Sequence, residues 1–89
     1  MYTPAFVEFL GTALTIGTIA FTGTPLLIVA SFAIALALGG KISGGHFNPA
    51  VTAWALASGK IGKSKALSYM IAQLGAALMV TFFATMIKV

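Results

Sequence analysis

Residues 42–52, Ile-Ser-Gly-Gly-His-Phe-Asn-Pro-Ala-Val-Thr, gather the groups with which this chain could do chemistry. Two glycines, a serine, a histidine and an asparagine–proline pair stand here in a chain that is 60% hydrophobic and only 7% charged. None of them suits a helix facing lipid. Polar, broken backbone at membrane depth is tolerated only where protein buries it or where it lines a water-filled cavity. The stretch is therefore expected to be a pore loop, with the remaining segments as its housing.

Asn48-Pro49 reads as a helix cap followed by proline at the first helical position. The asparagine side-chain oxygen then accepts from first-turn N–H groups near Ala50 and Val51, which leaves its NH₂ pointing outward as an oriented donor. Pro49 sets the helix direction, and Ala50 permits close approach by whatever packs opposite. A half-helix here turns the positive end of its dipole toward the bilayer centre, where it repels cations and protons. Gly44 and Gly45 are expected to let residues 43–47 run extended, so that successive carbonyls face a file of water or polyol molecules.

The elements that must hold this loop follow from the same start signals. Thr3-Pro4 opens a helix over 4–21, long enough to span with little tilt, and Thr24-Pro25 opens a second over 25–38. At about 1.5 Å per residue the second would fall short of a hydrocarbon core of about 30 Å. Gly39-Gly40 is expected to end it and begin a re-entrant loop, 39–48, followed by a half-helix over 49–57 that Ser58-Gly59 stops. Ser64 is a candidate cap for a last spanning helix over 65–87. Small residues at four-residue spacing, Ser31, Ala35 and Gly39, then Ser68, Ala72 and Ala76, predict close helix packing. The fold class is thus an all-α membrane protein of three transmembrane helices plus one re-entrant half-helix, in one domain covering 1–89.

Composition narrows the function. Cysteine is absent, so disulfides, thiol catalysis and thiolate metal sites are excluded. A single histidine without a carboxylate or sulfur companion gives no metal site, no cofactor is expected, and no nucleophile–base pair suggests an enzyme. The net charge of +4 comes from lysines spread at segment ends rather than from a basic patch, so it indicates topology and not nucleic acid. Lys41, Lys60, Lys63 and Lys65 share one side and Lys88 the other, which places the N-terminus in the cytoplasm and the 22–24 turn outside. Residues 2–12 carry no Lys or Arg and do carry Glu8, so no removable signal peptide is expected.

The string Ser43-Gly44-Gly45-His46-Phe47-Asn48-Pro49-Ala50-Val51-Thr52 resembles the first signature loop of the major intrinsic protein family, the aquaporins and glycerol facilitators. Glu8-Phe9-Leu10-Gly11-Thr12 resembles that family's first span with its glutamate, and Tyr69-Met70-Ile71-Ala72-Gln73-Leu74-Gly75-Ala76 the glutamine-bearing motif of its third. The resemblance implies a channel for water or small neutral solutes such as glycerol, built from two inverted halves of which this chain supplies the first. It implies Asn48 as a central pore donor, carbonyls from the backbone around Gly44, Gly45 and His46, and Glu8 and Gln73 bracing the loop from behind. Departures are the absence of arginine after the signature and of a second-half pore histidine, Ile28 with Phe32 one turn nearer where an aromatic is usual, and Ala76 in place of glycine.

Alternatives stand beside these readings. Asn48 is a pore donor or an ordinary cap between helices; His46 gates by protonation or makes a structural hydrogen bond inside the loop. Glu8 braces the loop or snorkels to the interface, while Gln73, deeper in its helix, needs an internal partner. Trp54, Tyr2 and Tyr69 read as interfacial or packing aromatics. The partners implied are the lipid bilayer of the cell membrane and a second half-channel, either an identical antiparallel copy or a separate complementary chain. The rival function is a non-transporting membrane protein that associates with a full-length channel and modulates it.

Overall fold

The computed structural model describes residues 3–87, which form four helices and no strand: α1 (Thr3–Phe21), α2 (Pro25–Ser43), α3 (Pro49–Ala57) and α4 (Lys63–Ile87). Tyr2 and Lys88 lie outside the described residues. α1, α2 and α4 are each long and apolar enough to cross a membrane, whereas the nine residues of α3 rise only about 13 Å.

The distribution of side chains is the reverse of a water-soluble domain. Leu26, Leu38 and Leu78 are 75%, 78% and 72% exposed, while Glu8, Thr12, Ser31, Ser43, Thr52 and Gln73 are buried. An apolar exterior around a polar interior is stable only when the surrounding solvent is lipid. The chain is an all-α integral membrane protein. α1 is the central element, packed against α2 on one side and α4 on the other, and α3 lies on α4. The C-terminal end of α2 meets the N-terminal part of both neighbours, since Ser43 bonds to Glu8 of α1 and to Tyr69 of α4.

Three expectations about these elements need correction. Gly39 and Gly40 lie inside α2, which continues to Ser43; the stop is Gly44, at φ 95°, whose N–H donates to the Gly40 carbonyl. Backbone in lipid has no other partner for its polar groups, so the helix persists through glycines unless something ends it. Gly39 serves packing instead, because a Cβ there would come within 2.6 Å of Val7 Cγ1. With 19 residues α2 rises about 28 Å, so it is not short, and the loop spans 44–48 rather than 39–48.

α4 begins at Lys63 and not at residue 65, with Ser64 inside the helix and the Ala66 N–H donating to the Gly62 carbonyl. The buried line on α2 is Ser31, Ala35, Gly39 and Ser43, at four-residue spacing. On α4 it is Ala66, Tyr69, Gln73, Ala76 and Val80, leaving Ser68 and Ala72 half-buried. Tyr69 and Gln73 carry polar groups that find partners only inside the bundle, and their burial fixes the rotation of α4.

Candidate functional site

The loop between α2 and α3 is coiled, not extended. Gly44 (φ 95°), Gly45 (φ 67°) and Phe47 (φ 50°) all have left-handed backbones, which glycine adopts freely and phenylalanine rarely. A Cβ on Gly45 would also fall 2.5 Å from Leu36 Cδ2. These turns direct the His46 and Phe47 N–H groups backward onto α1, alongside the Ser43 hydroxyl at the end of α2.

Their common acceptor is the carboxylate of Glu8, fully buried six residues into α1. Its Oε2 accepts from the Ser43 hydroxyl at 2.7 Å and the His46 N–H at 3.1 Å; its Oε1 accepts from the Phe47 N–H at 2.7 Å and from Gln73 Nε2 at 2.8 Å. Three of these partners are N–H groups, which only donate, and the fourth is a hydroxyl. Burial excludes the snorkelling geometry for Glu8. Ser43 Oγ in turn accepts from the Gly45 N–H at 3.1 Å, and the Tyr69 hydroxyl donates to the Ser43 carbonyl. Tyr69 is therefore an interior residue, whereas Trp54 on α3 is 56% exposed with the Lys60 ammonium 5.7 Å from its ring.

Gln73 donates a second time, to Thr52 Oγ1 at 2.9 Å, and Thr52 Oγ1 lies 2.9 Å from His46 Nδ1. The His46 imidazole is thus engaged by α3, with its ring set edge-on to Tyr69 at a centroid distance of 5.2 Å. Gln73 Oε1 and Thr12 Oγ1 are buried and have no partner among the described residues.

Asn48 has an extended backbone (φ −162°, ψ 124°), and its side-chain Oδ1 accepts from the Ala50 N–H at 2.8 Å. Pro49 occupies the first turn, where its missing N–H removes nothing. The Asn48 NH₂ is exposed and unpartnered among the described residues. Thr24, at the equivalent position before α2, makes no such side-chain cap. Of the residues singled out in the sequence, the structure joins His46 directly, and Gly45 through Ser43, to the cluster around Glu8 and Gln73; Asn48, Pro49 and Ala50 open α3 beside it and make no hydrogen bond to Glu8 or Gln73 among the described residues.

Two residues central to the cluster escape sequence reasoning, Thr52 and Phe47. The Phe47 ring is buried between α1 and α2, so that a Cβ on Gly11 would meet it at 2.2 Å and one on Gly39 at 3.6 Å, and Phe32 meets it edge-on at 6.3 Å. It anchors the loop by apolar packing while its N–H binds Glu8. Gly11 and Gly39 are the signal: small residues on two helices make room for one large ring.

A lipid-embedded three-span bundle carrying a polar loop that starts a short capped helix is the arrangement found here, and the chain belongs to the family described as Major intrinsic protein, whose sequence model matches residues 5–89. It is 41% identical over 80 residues to glycerol uptake facilitator protein-like 6 of Lactiplantibacillus plantarum, covering 75% of this chain and 35% of the relative. It is 56% identical over 54 residues to aquaporin TIP1-2 of Zea mays, covering 54% of this chain and 21% of the relative. The chain thus spans about a third or less of the length of these relatives. No solved structure matches it.

Proposed function

We propose that this chain is one half of a passive transmembrane channel for water or small neutral solutes such as glycerol, its pore being completed by a second half. The observation that carries the reading is Asn48: its oxygen is fixed on the first turn of α3 and its NH₂ is left uncovered, an oriented donor on a loop that Glu8 holds through the His46 and Phe47 N–H groups and through the Ser43 hydroxyl at its start. The printed names of the relatives, a glycerol uptake facilitator and an aquaporin, support those permeants. In this reading α3 re-enters the membrane, and Asn48, Pro49, Ala50 and the backbone around Gly44, Gly45 and His46 line the pore. Glu8 and Gln73 brace them. The activity is transport rather than catalysis.

Lys41, Lys60, Lys63 and Lys65 lie at the loop-bearing end, and the bias of basic residues toward the cytoplasm supports a cytoplasmic N-terminus in the cell membrane. The same bias opposes insertion of a second copy upside down, so it weighs against an antiparallel homodimer and toward a second half of different sequence, whether on a separate complementary chain or on a longer reading frame of which this is part. The test is osmotic swelling of vesicles holding the purified chain, alone and with a chain carrying the part of the Lactiplantibacillus plantarum relative that this chain does not match. Water or glycerol permeability above that of empty vesicles in either preparation supports the channel. Background rates in both refute it and favour a non-transporting modulator.

A further inference from the structure

Thr52 sits inside a hydrogen-bond chain whose directions are set by what each atom is able to give. The Gln73 amide atom bonded to Thr52 Oγ1 also bonds to Glu8 Oε1, an oxygen that only accepts, so it is the NH₂ end. Thr52 Oγ1 is therefore an acceptor toward Gln73. Its own proton remains, and because Thr52 is fully buried that proton needs an acceptor inside the protein. Thr15, Thr18, Thr81 and Thr85 donate to the carbonyl one turn back, but Thr52 Oγ1 makes no such bond to Asn48, and its other polar neighbour is His46 Nδ1 at 2.9 Å.

We infer that Thr52 is a positioning residue: its hydroxyl donates to His46 Nδ1, which fixes the imidazole as the Nε2–H tautomer and presents Nε2–H as a donor on the uncovered side of the loop. The opposite assignment, with Nδ1–H donating to Thr52, strands the hydroxyl proton in the interior. Tyr69 holds the ring from its edge. The Nε2 edge lies over Gly44, where a Cβ would stand 3.5 Å from Nε2, and Nε2 has no partner among the described residues. Glycine at 44 thus leaves this nitrogen open as well as supplying the left-handed turn.

His46 Nε2–H and the Asn48 NH₂ are then two uncovered neutral donors, two residues apart on a loop locked by Glu8. The ligand class they take is a neutral molecule with an oxygen lone pair, water or the hydroxyl of a polyol. A ring nitrogen already protonated and lacking a lone pair is unable to accept a proton from such a ligand; the basic nitrogen is the one engaged by Thr52. The ligand assignment rests on the channel reading, whereas the tautomer does not.

The experiment is ¹⁵N NMR of the full chain in a bilayer, where the imidazole signals are unambiguous because the sequence holds one histidine. The expected wild-type spectrum has the proton on Nε2 and a bare Nδ1 at the shift of a hydrogen-bond acceptor. Thr52→Val moves Nδ1 to the shift of an unbonded nitrogen and lowers the Nε2–H to Nδ1–H ratio by roughly tenfold, the equivalent of one hydrogen bond. Thr52→Ser restores both. A proton on Nδ1 in the wild-type chain, which needs no variant to observe, overturns the inference, as does a Nδ1 shift indifferent to Thr52→Val. Vesicles that fail to swell while the Nε2–H signature holds count against the channel and leave Thr52 in its role; swelling with a protonated Nδ1 does the reverse.

Discussion

Replacing Glu8 by glutamine turns one oxygen of the brace into an NH₂ with almost no change in volume, so it isolates the hydrogen bonding. A nitrogen at Oε1 would face the Phe47 N–H, which has no other acceptor, and Gln73 Nε2, whose second proton is already given to Thr52 Oγ1. At Oε2 it faces the His46 N–H and the Ser43 hydroxyl, and the hydroxyl is able to swing to the Gly39 carbonyl, 3.4 Å away, and accept from the new NH₂. Glu8→Gln therefore adopts the second orientation and orphans one backbone N–H, that of His46. An unpaired buried donor costs about 1–3 kcal/mol, and the loss of charge assistance at the other bonds, partly offset by relief of a buried charge, adds roughly 1 kcal/mol. The expected destabilisation is about 2–4 kcal/mol in reversible unfolding by detergent. Amide exchange locates it: His46 loses protection by roughly thirtyfold or more while Phe47, still bonded, loses less. Equal loss at both amides, or none at either, would refute the assignment of donors to the two oxygens.

Other outcomes follow from the packing and the cap. Gly11→Ala drives a methyl into the Phe47 ring and is expected to cost about 1–3 kcal/mol in the same unfolding assay, whereas Gly17→Ala, with nothing within 4 Å of the new carbon, stays within about 0.5 kcal/mol. Asn48→Asp keeps the oxygen that caps Ala50 but removes the NH₂; stability should hold within about 1 kcal/mol while permeability of vesicles containing both halves falls, and a simultaneous collapse of stability would show that the amide is structural. Lys60→Met removes the ammonium from the Trp54 ring, shifting the emission of the only tryptophan at a stability change of about 0.5–1 kcal/mol.

The fold class was legible because lipid imposes a composition that few other environments allow, and a helix start such as Asn48-Pro49 is written in two adjacent residues that carry their own mechanism. A helix end is not local in this way. Gly39-Gly40 has the composition of a terminator, yet Gly39 answers to Val7 on another helix, and the left-handed backbone that ends α2 falls at Gly44, alike in sequence. The same limit hid the centre of the site. Glu8 and Gln73 stand out as polar groups in apolar helices, but nothing near Thr52 in the sequence indicates that Gln73 and His46 converge on its hydroxyl. Phe47 looks apolar in a polar loop until the glycines of α1 and α2 are seen around it. The four-residue spacing on α4 held at Ala76 but not at Ser68 or Ala72, because small residues say how closely helices approach, whereas Tyr69 and Gln73 decide which side turns inward.

The sequence separations inside the Glu8 cluster give its assembly a direction in time. The donors from residues 43–47 are synthesised 35 to 39 residues after the carboxylate, and Gln73 arrives 65 residues after it. A nascent α1 must therefore carry an anionic group toward the bilayer before any of its partners exists, and the translocation machinery or an aqueous vestibule has to shelter it in the interval. Ribosome-bound intermediates of increasing length should show α1 reaching its final depth only once residue 47 has emerged, so the early glutamate acts as a clock for insertion as much as a strut in the finished protein.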